Sequence, residues 1–438
     1  MSGGIVHDKN PRTPAAVIHP DIRGSRQAGR LPEAALEEAV GLAEAIDLDV
    51  RLETVVTLNK PRPATLLGSG KVEDLGFDLK NLHVEIVVID AELTPGQQRN
   101  LEREWHCKVI DRTGLILEIF GARAATREGR LQVELAALNY QKSRLVRSWT
   151  HLERQRGGVG FMGGPGERQI ESDRRMIAEK ITRLEKELSG VSRTRTLHRD
   201  SRSKVPFPTV ALVGYTNAGK STLFNRLTAA KVVAKDMLFA TLDPTMRGLS
   251  LPSGERVILS DTVGFVSNLP HDLVAAFAAT LEEVRDAKVV LHVRDMAHPD
   301  REHQKHDVLA ILDEIGLAPD TPIIEVQNKI DLLDDEERTR LATLATGSDQ
   351  FVTLSAQTGE NCDTLLAVID SHLRAARETC EFKIPSHDGS AIAWLHEHGE
   401  IINRHDAEGM TTIEVALFPA DARRFEKRQV ESRLLAAD

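Results

Sequence analysis

Eight consecutive residues have the types and the spacing of a loop that binds the phosphate groups of a nucleotide. They fit the pattern G-x-x-x-x-G-K-[ST] and lie between a predicted buried strand and a predicted helix. The residues are Gly214, Tyr215, Thr216, Asn217, Ala218, Gly219, Lys220 and Ser221, followed by Thr222. We expect the loop N–H groups to surround the β-phosphate, Lys220 to act as a catalytic cation on the β- and γ-phosphates, and Ser221 to bind Mg²⁺. The alternative is a glycine-rich turn without a ligand.

Two later motifs favour a guanine nucleotide. The first, after an apolar run at 323–326, consists of Asn328, Lys329, Ile330 and Asp331. A carboxylate accepts hydrogen bonds from both N1–H and the 2-amino group of guanine, whereas adenine has an acceptor at N1 and no amine at C2. The second consists of Ser355, Ala356 and Gln357, whose backbone amides could hold the base carbonyl. The sequence therefore predicts GTP rather than ATP.

A further motif lies at the end of another predicted buried strand. It consists of Asp261, Thr262, Val263 and Gly264. Asp261 would bind Mg²⁺ through water, and the Gly264 N–H would be a catalytic contact to the γ-phosphate. The next residue, Phe265, stands where many GTPases carry a glutamine that orients the attacking water. We therefore expect slow intrinsic hydrolysis and a different water-orienting group.

The segment between the phosphate loop and Asp261 must supply a threonine that senses the metal and the γ-phosphate. It contains Phe239, Ala240, Thr241, Leu242 and Asp243, which we assign to nucleotide binding. Thr241 is the predicted metal ligand and catalytic residue. Thr245 is the less favoured substitute.

Alternating strand and helix patterns place these motifs in one α/β domain at 205–378. A similar alternation at 1–125 predicts a small α/β domain with a largely parallel sheet, and residues 380–438 predict a small α/β C-terminal domain. The 438 residues are 41% hydrophobic and 28% charged, and no apolar run is long enough to predict a membrane span. Three widely separated cysteines fit a reducing cytoplasm.

Residues 126–200 predict a long antiparallel helical hairpin. Apolar residues recur at heptad spacing in both helices, and the second helix is predicted to stop at Ser189-Gly190. A polar linker is expected from Ser192 to Lys204. The connection between the helices holds six glycines between Gly157 and Gly166, and we reject a dinucleotide site there because no βαβ unit surrounds it.

Basic residues concentrate around the tip of this hairpin, although the whole chain has a net charge of -10. Arginines on phosphates and an aromatic side chain against bases would suit RNA. The candidate RNA-binding residues are Lys142, Arg144, Arg147, Arg154, Arg156, Gly158, Gly160, Phe161, Met162 and Arg168. The alternative is a solvated hairpin, or a coiled-coil docking face of a GTP-dependent protein-interaction switch.

The segment Leu67-Gly68-Ser69-Gly70-Lys71 has part of a phosphate-loop pattern. Its spacing is wrong for a complete loop, and a helix start with Gly70 near the N-cap is the simpler explanation. The alternative is an anion site, which would hold a second nucleotide or an RNA phosphate near Lys71.

Taken together, these residues resemble the HflX family of translation-factor-class GTPases, related to Obg-type GTPases. The resemblance rests on 62–71, the glycine-rich loop followed by Glu167, the phosphate loop, 239–243 and Asp261 to Phe265. It implies a GTP hydrolase that binds the large (50S) ribosomal subunit and its rRNA in the GTP state, with one Mg²⁺ per GTP. It also implies splitting or rescue of stalled ribosomes under stress, by a protein that is cytoplasmic and partly ribosome-associated. We expect a monomer away from the ribosome.

Overall fold

Parallel strands with short helical crossovers build the first part of the chain in the computed structural model, which describes residues 12–24, 30–155, 165–202, 207–228, 239, 245–267, 278–407 and 409–435. The first sheet has the strand order β2-β1-β3-β4, and its recorded pairings are all parallel. The strands are β1 (Thr13–Ile22), β2 (Leu48–Leu58), β3 (Ile86–Ile89) and β4 (Lys108–Asp111). The helices are α1 (Pro32–Glu44), α2 (Ser69–Asn81), α3 (Pro95–Trp105) and α4 (Arg112–Arg123). The predicted α/β class with a parallel sheet is confirmed for this region.

The helical hairpin consists of α5 (Arg127–Gln155) and α6 (Pro165–Arg202). Ion pairs Glu134–Lys180, at 2.7 Å, and Arg127–Glu187, at 3.9 Å, show that the two helices run antiparallel. Its small core contains the heptad residues Leu131, Leu138, Ile181 and Leu184. These contacts agree with the predicted heptad pattern at the base of the hairpin.

The predicted helix stop at Ser189-Gly190 and the linker from Ser192 are wrong. Helix α6 continues through Gly190 to Arg202. A glycine inside a helix costs about 1 kcal/mol relative to alanine, which does not end a helix that packing supports. Leu188 and Val191, on either side of this glycine, both pack against the hairpin core.

The phosphate-loop motif belongs to a sheet of six strands with the order β10-β9-β8-β5-β7-β6. Only β6 is antiparallel, against β7, and this strand was not predicted. The strands are β5 (Thr209–Gly214), β6 (Thr245–Ser250), β7 (Arg256–Asp261), β8 (Val289–Asp295), β9 (Ile323–Asn328) and β10 (Phe351–Thr353). The described helices are α7 (Lys220–Thr228), α8 (Ala278–Arg285), α9 (Arg301–Glu314), α10 (Asp335–Ala345) and α11 (Cys362–Ala375). Because β5, β7, β9 and β10 are parallel, the motifs that follow them meet at one edge of the sheet.

A three-stranded antiparallel sheet and two helices form the last part of the chain. The sheet order is β11-β13-β12, with β11 (Glu378–Pro385), β12 (Glu400–Ala407) and β13 (Met410–Leu417). The helices are α12 (Gly389–His398) and α13 (Pro419–Leu435). Strand β12 and helix α13 were not predicted. Among the described residues, no helix combines the length and the apolar character that crossing a membrane requires.

One hydrophobic core connects the first sheet with the phosphate-loop sheet. It contains side chains from both regions, including Phe120 of α4, Phe239 and Phe265. The rings of Phe120 and Phe239 meet edge to face with centroids 4.6 Å apart. The two regions are therefore packed against each other around the residues that follow Gly264.

Candidate functional site

The phosphate loop spans the gap between the end of β5 and the start of α7. Gly214 has φ +151° and Gly219 has φ +93°, both in the region that favours glycine. A Cβ atom on Gly214 would lie 2.2 Å from the Val293 carbonyl oxygen, and one on Gly219 would lie 2.2 Å from Asn328 Nδ2. Both positions therefore require glycine, because the backbone has a positive φ there and because the ends of β8 and β9 leave no room for a side chain.

Lys220, the first residue of α7, is held under the loop. Its Nζ donates to the carbonyl oxygens of Gly214, at 3.1 Å, and Tyr215, at 2.8 Å. Burial lowers the pKa of Lys220 to about 8, and the nearby Asp261 carboxylate opposes this shift. The ammonium group is thus fixed at the centre of the loop, where it can attract the phosphates of a bound nucleotide.

Ser221 and Asp261 supply oxygen atoms next to one another. The Ser221 hydroxyl donates to Asp261 Oδ2 at 2.7 Å, and Asp261 is fully buried at the end of β7. A hydroxyl and a carboxylate beside a phosphate loop are the hard oxygen donors that suit Mg²⁺. The donor set therefore fits the predicted metal.

The remaining members of the Asp261 motif have different positions. The Thr262 hydroxyl donates to the Leu212 carbonyl at 2.6 Å, and Val263 is buried in the core that connects the two sheets. Both side chains therefore support the backbone instead of facing a ligand. Gly264 lies against the phosphate loop, since a Cβ atom there would be 3.0 Å from Lys220 Nζ and 2.9 Å from Thr216 Cγ2.

The backbone of Phe265 is hydrogen-bonded to the phosphate loop, and its side chain is buried. Its N–H donates to the Gly214 carbonyl at 3.1 Å, and its carbonyl accepts from the Thr216 N–H at 2.7 Å. Its ring is 1% exposed and lies in the core that connects the two sheets. The ring has no polar atom to orient water, as expected from its residue type.

The Asn328 motif connects the phosphate loop to the Ser355 loop. Asn328 Nδ2 donates to the Ala218 carbonyl at 2.8 Å, and its Oδ1 accepts from the Ala356 N–H at 2.9 Å. Lys329 has φ +64° and pairs with Asp295 at 2.7 Å. Asp331 lies exposed in a short 3₁₀ helix (Ile330–Leu332), where its carboxylate can meet a base.

The loop of Ser355, Ala356 and Gln357 has its own support, which sequence reasoning missed. Arg226 of α7 donates from Nε to the Ala356 carbonyl at 2.7 Å and from Nη2 to the Gln357 carbonyl. The Ser355 hydroxyl oxygen accepts from the Thr358 N–H at 3.1 Å. The Ala356 N–H, predicted for the base carbonyl, is used within the protein by Asn328. Arg226 follows the phosphate loop at helical spacing, but no sequence pattern marks its distant partners.

The segment predicted to sense the γ-phosphate is described at Phe239 alone. Ala240, Thr241, Leu242 and Asp243 lie outside the described residues. Phe239 was expected to bind nucleotide, but its ring is buried against Phe120 and contributes to the core. Thr245, the substitute for Thr241, begins β6 and is paired with Asp261 of β7.

The described part of the candidate RNA surface includes one arginine with a structural role. Arg144 pairs with Asp111 at 2.8 Å and donates to Gln98 and Tyr140, so its guanidinium is engaged within the protein. Its contact with RNA remains a prediction. Lys142 is half-buried. Residues 156–164, with Arg156, Gly158, Gly160, Phe161 and Met162, lie outside the described residues. The side chains of Arg147, Arg154 and Arg168 also lie outside the description, although their helices are described.

Lys71 lies exposed in the first turn of α2. The N-cap of this helix is Gly68, so Gly70 lies in its first turn, and the predicted helix start with Gly70 near the N-cap is confirmed. The second nucleotide near Lys71 remains a prediction.

We expect the affinity for GTP to fall as the pH rises above about 8. Only the protonated Lys220 attracts phosphate, so its contribution is fully present below its pKa of about 8 and is lost above it. The loss should approach about tenfold per pH unit. Equilibrium titration of a fluorescent non-hydrolysable GTP analogue between about pH 7 and pH 9 measures it, with thermal unfolding at each pH as the control for folding. A constant affinity over this range would contradict the prediction.

Comparison with known proteins places these features in one family. Models described as GTP-binding GTPase N-terminal, GTP-binding GTPase Middle Region, 50S ribosome-binding GTPase and HflX C-terminal domain match residues 33–121, 123–202, 209–329 and 340–434. "GTPase HflX" of Magnetococcus marinus is 52% identical over 88% of this chain and 88% of its own length. "GTPase HflX" of Escherichia coli K12 is 42% identical over 90% and 92%.

A solved structure titled "crystal structure of SsGBP and GDP complex" aligns with a TM-score of 0.47 and 24% identity, covering 82% of this chain and 98% of that chain. The assignment depends instead on the family matches and on relatives well above 30% identity. These relatives and the GTPase domain match identify the chain as an enzyme that binds and hydrolyses GTP. The chain belongs to the HflX family of GTPases.

Proposed function

We propose that this GTPase binds the large ribosomal subunit in its GTP state and acts in the splitting or rescue of stalled ribosomes. The observation that carries the proposal is the match of residues 209–329 to a family described as 50S ribosome-binding GTPase. The long hairpin beside this domain, with basic residues toward its tip in the sequence, supports RNA as the contacted surface.

We further propose how the site residues divide the work on GTP. Lys220 neutralises charge on the β- and γ-phosphates, the Gly264 N–H contacts the γ-phosphate, and Asp331 selects guanine. Ser221 and Thr241 would hold Mg²⁺, with Asp261 acting through water; when bound, the metal supplies positive charge to the phosphate oxygens. The geometry that supports this division is the position of Lys220 and Gly264 side by side at the loop.

A γ-phosphate would then control ribosome binding by ordering two segments. Thr241 and Gly264 both contact the phosphate side of the site in this proposal, and GDP lacks the group that holds them. The residues after Gly264 pack in a core shared with the first sheet. A shift of these residues can therefore move the hairpin, since its first helix, α5, directly follows the last helix of the first α/β region.

Co-sedimentation with separated ribosomal subunits tests the proposal. We expect the protein to sediment with large subunits in a non-hydrolysable GTP analogue and to stay in the supernatant in GDP. Large subunits should also stimulate the slow intrinsic hydrolysis, because Phe265 lacks a water-orienting group. Equal sedimentation in both nucleotides, or equal hydrolysis with and without subunits, would contradict the proposal.

Reversing the charges near the hairpin tip should separate RNA binding from protein docking. We expect Arg147→Glu, Arg154→Glu and Arg156→Glu together to abolish most large-subunit binding, since each lost cation removes a phosphate contact. A matched triple variant, Arg127→Glu, Arg183→Glu and Lys186→Glu, changes the same charge at the base of the hairpin and should bind normally. If the tip variant still bound isolated rRNA, the alternative of a GTP-dependent protein-interaction switch would be favoured.

A further inference from the structure

A buried polar cluster joins the phosphate loop to the segment after Gly264. The Tyr215 hydroxyl, from the second position of the loop, donates to Glu38 of α1. The same hydroxyl oxygen accepts from the Ser267 N–H at 2.7 Å, and it lies 2.6 Å from Ser267 Oγ. Burial and the Glu38 carboxylate raise the pKa of Tyr215, so the hydroxyl stays protonated and can donate. Tyr215 therefore connects three segments that are far apart in the chain.

Arg112 of α4 holds the same segment from the other side. Its Nε and Nη2 atoms donate to the Ser267 carbonyl at 3.2 and 3.0 Å. The remaining donors of this guanidinium contact Glu38 and Asp90. Arg112, Tyr215 and Ser267 are each no more than 5% exposed. Ser267 is thus held at its N–H and hydroxyl by Tyr215 of the phosphate loop, and at its carbonyl by Arg112 of α4 beside the first sheet.

The carboxylates of the cluster are themselves supported. Asp90 lies 2.7 Å from His19 Nδ1, and Glu38 also accepts from Arg30 Nη2 at 2.7 Å. Burial alone would raise the pKa of Asp90, but Arg112 and His19 outweigh it and lower this pKa to about 2. Asp90 is therefore ionised, and through it the cluster extends from the phosphate loop to the end of β3 in the first sheet.

Stability alone does not account for this arrangement. Buried ion pairs are often no more stabilising than apolar side chains of similar volume, and Phe265 and Val266 beside Ser267 already pack in the shared core. The charged groups fix the geometry of the segment, because their hydrogen bonds can all form only when the donors and acceptors have one particular arrangement. The position fixed here is that of the three residues directly after Gly264.

We propose that Arg112 and Glu38 are positioning residues for GTP hydrolysis, which act through Tyr215 and Ser267 to fix Gly264 against the phosphate loop. A misplacement of about 1 Å can cost about 100-fold in rate when a group must meet a developing charge. The γ-phosphate depends on Gly264, whereas the α- and β-phosphates are held by the loop itself. Loss of the cluster should therefore lower the affinity for GTP and the rate of its hydrolysis, and leave the affinity for GDP unchanged.

Tyr215→Phe tests this directly, since it removes one hydroxyl and keeps the ring. We expect kcat for GTP hydrolysis without ribosomes to fall about tenfold or more, and affinity for a non-hydrolysable GTP analogue to fall with it. Affinity for GDP should stay within about twofold of wild type. Arg112→Lys, which keeps the charge but loses the forked contact to the Ser267 carbonyl, should give the same pattern.

The control is Arg377→Lys. Arg377 is a half-buried arginine, paired with Glu255 and Glu400 where the C-terminal sheet meets the GTPase sheet. This variant can lower the unfolding temperature but should leave kcat unchanged. If Tyr215→Phe does not fold, Ser267→Ala replaces it, because it removes only the second hydroxyl of the cluster.

The double variant Tyr215→Phe, Arg112→Lys completes the test. Both residues contact Ser267, so the fold-decrease in kcat of the double variant should be smaller than the product of the fold-decreases of the two single variants. A folded Tyr215→Phe protein with wild-type or faster hydrolysis would overturn the proposal, as would an equal loss of GTP and GDP affinity. These assays contain no ribosomes, so the outcome is independent of ribosome binding.

Discussion

Lys220→Ala should lower kcat for GTP hydrolysis by at least about 100-fold, because it removes the ammonium group that is fixed beneath the phosphate loop. Affinity for GTP should fall as well, since the β- and γ-phosphates lose their buried counter-charge. Phosphate release under single-turnover conditions measures the chemical step, and equilibrium titration measures the binding. We expect the Lys220→Ala variant to fold, because alanine is a good helix former at the start of α7.

Lys305→Ala provides the matched control for that experiment. Lys305 lies in α9 of the same domain and pairs with Glu325 at 2.6 Å, away from the phosphate loop. Its loss should change kcat by less than about twofold, as expected for a partly exposed ion pair. Near-normal hydrolysis by Lys220→Ala would show that the nucleotide is bound elsewhere. ATP binding that persisted in this variant would instead support the second site near Lys71.

Asp331→Asn should change the preferred base from guanine to xanthine. The aspartate accepts from two donors of guanine, whereas asparagine presents one acceptor and one donor, so its NH₂ group would face a guanine donor. Xanthine carries a carbonyl oxygen in place of the 2-amino group and matches the asparagine. We expect GTP affinity to fall by about 100-fold and XTP to become the better substrate.

The control for base selection is Asp335→Asn, an equal change at an exposed position at the start of α10. It should leave the ratio of GTP to XTP affinity at the wild-type value. Competition between the two nucleotides for one fluorescent analogue gives this ratio for each variant. An unchanged preference for GTP in Asp331→Asn would contradict the assignment of Asp331 to the base.

The order of strands, helices and motifs was largely predictable because each depends on neighbours in the chain. The phosphate loop, for example, requires only a strand, two glycines and a helix start, and the structure has all of them. The predictions were wrong where tertiary packing, not local sequence, determines the end of a helix or the presence of a strand. Gly190 was expected to end a helix, but Val191 beyond it still has hydrophobic contacts. Strand β12 is mostly exposed, so it lacks the apolar alternation that would have revealed it.

Side-chain roles at the site were less predictable than the backbone. Phe239 and Thr262 lie inside motifs associated with nucleotides, yet one packs in the core and the other bonds to a backbone carbonyl. Arg144 belongs to a basic cluster in the sequence, but its partner Asp111 is 33 residues away. Glu38 and Tyr215 are separated by 177 residues, so no local pattern could join them. Contacts of this kind become visible only when the chain is folded.

The uninterrupted course of α6 has a mechanical consequence. At 1.5 Å per residue its 38 residues form a rod about 57 Å long. Only six residues separate its end at Arg202 from β5 at Thr209, and β5 leads directly into the phosphate loop. A tilt of about 5° at that end would displace the other end by about 5 Å, by simple lever geometry. A small rotation of α6 at the end near the phosphate loop would therefore move the glycine-rich end of the hairpin by about the width of a nucleotide base.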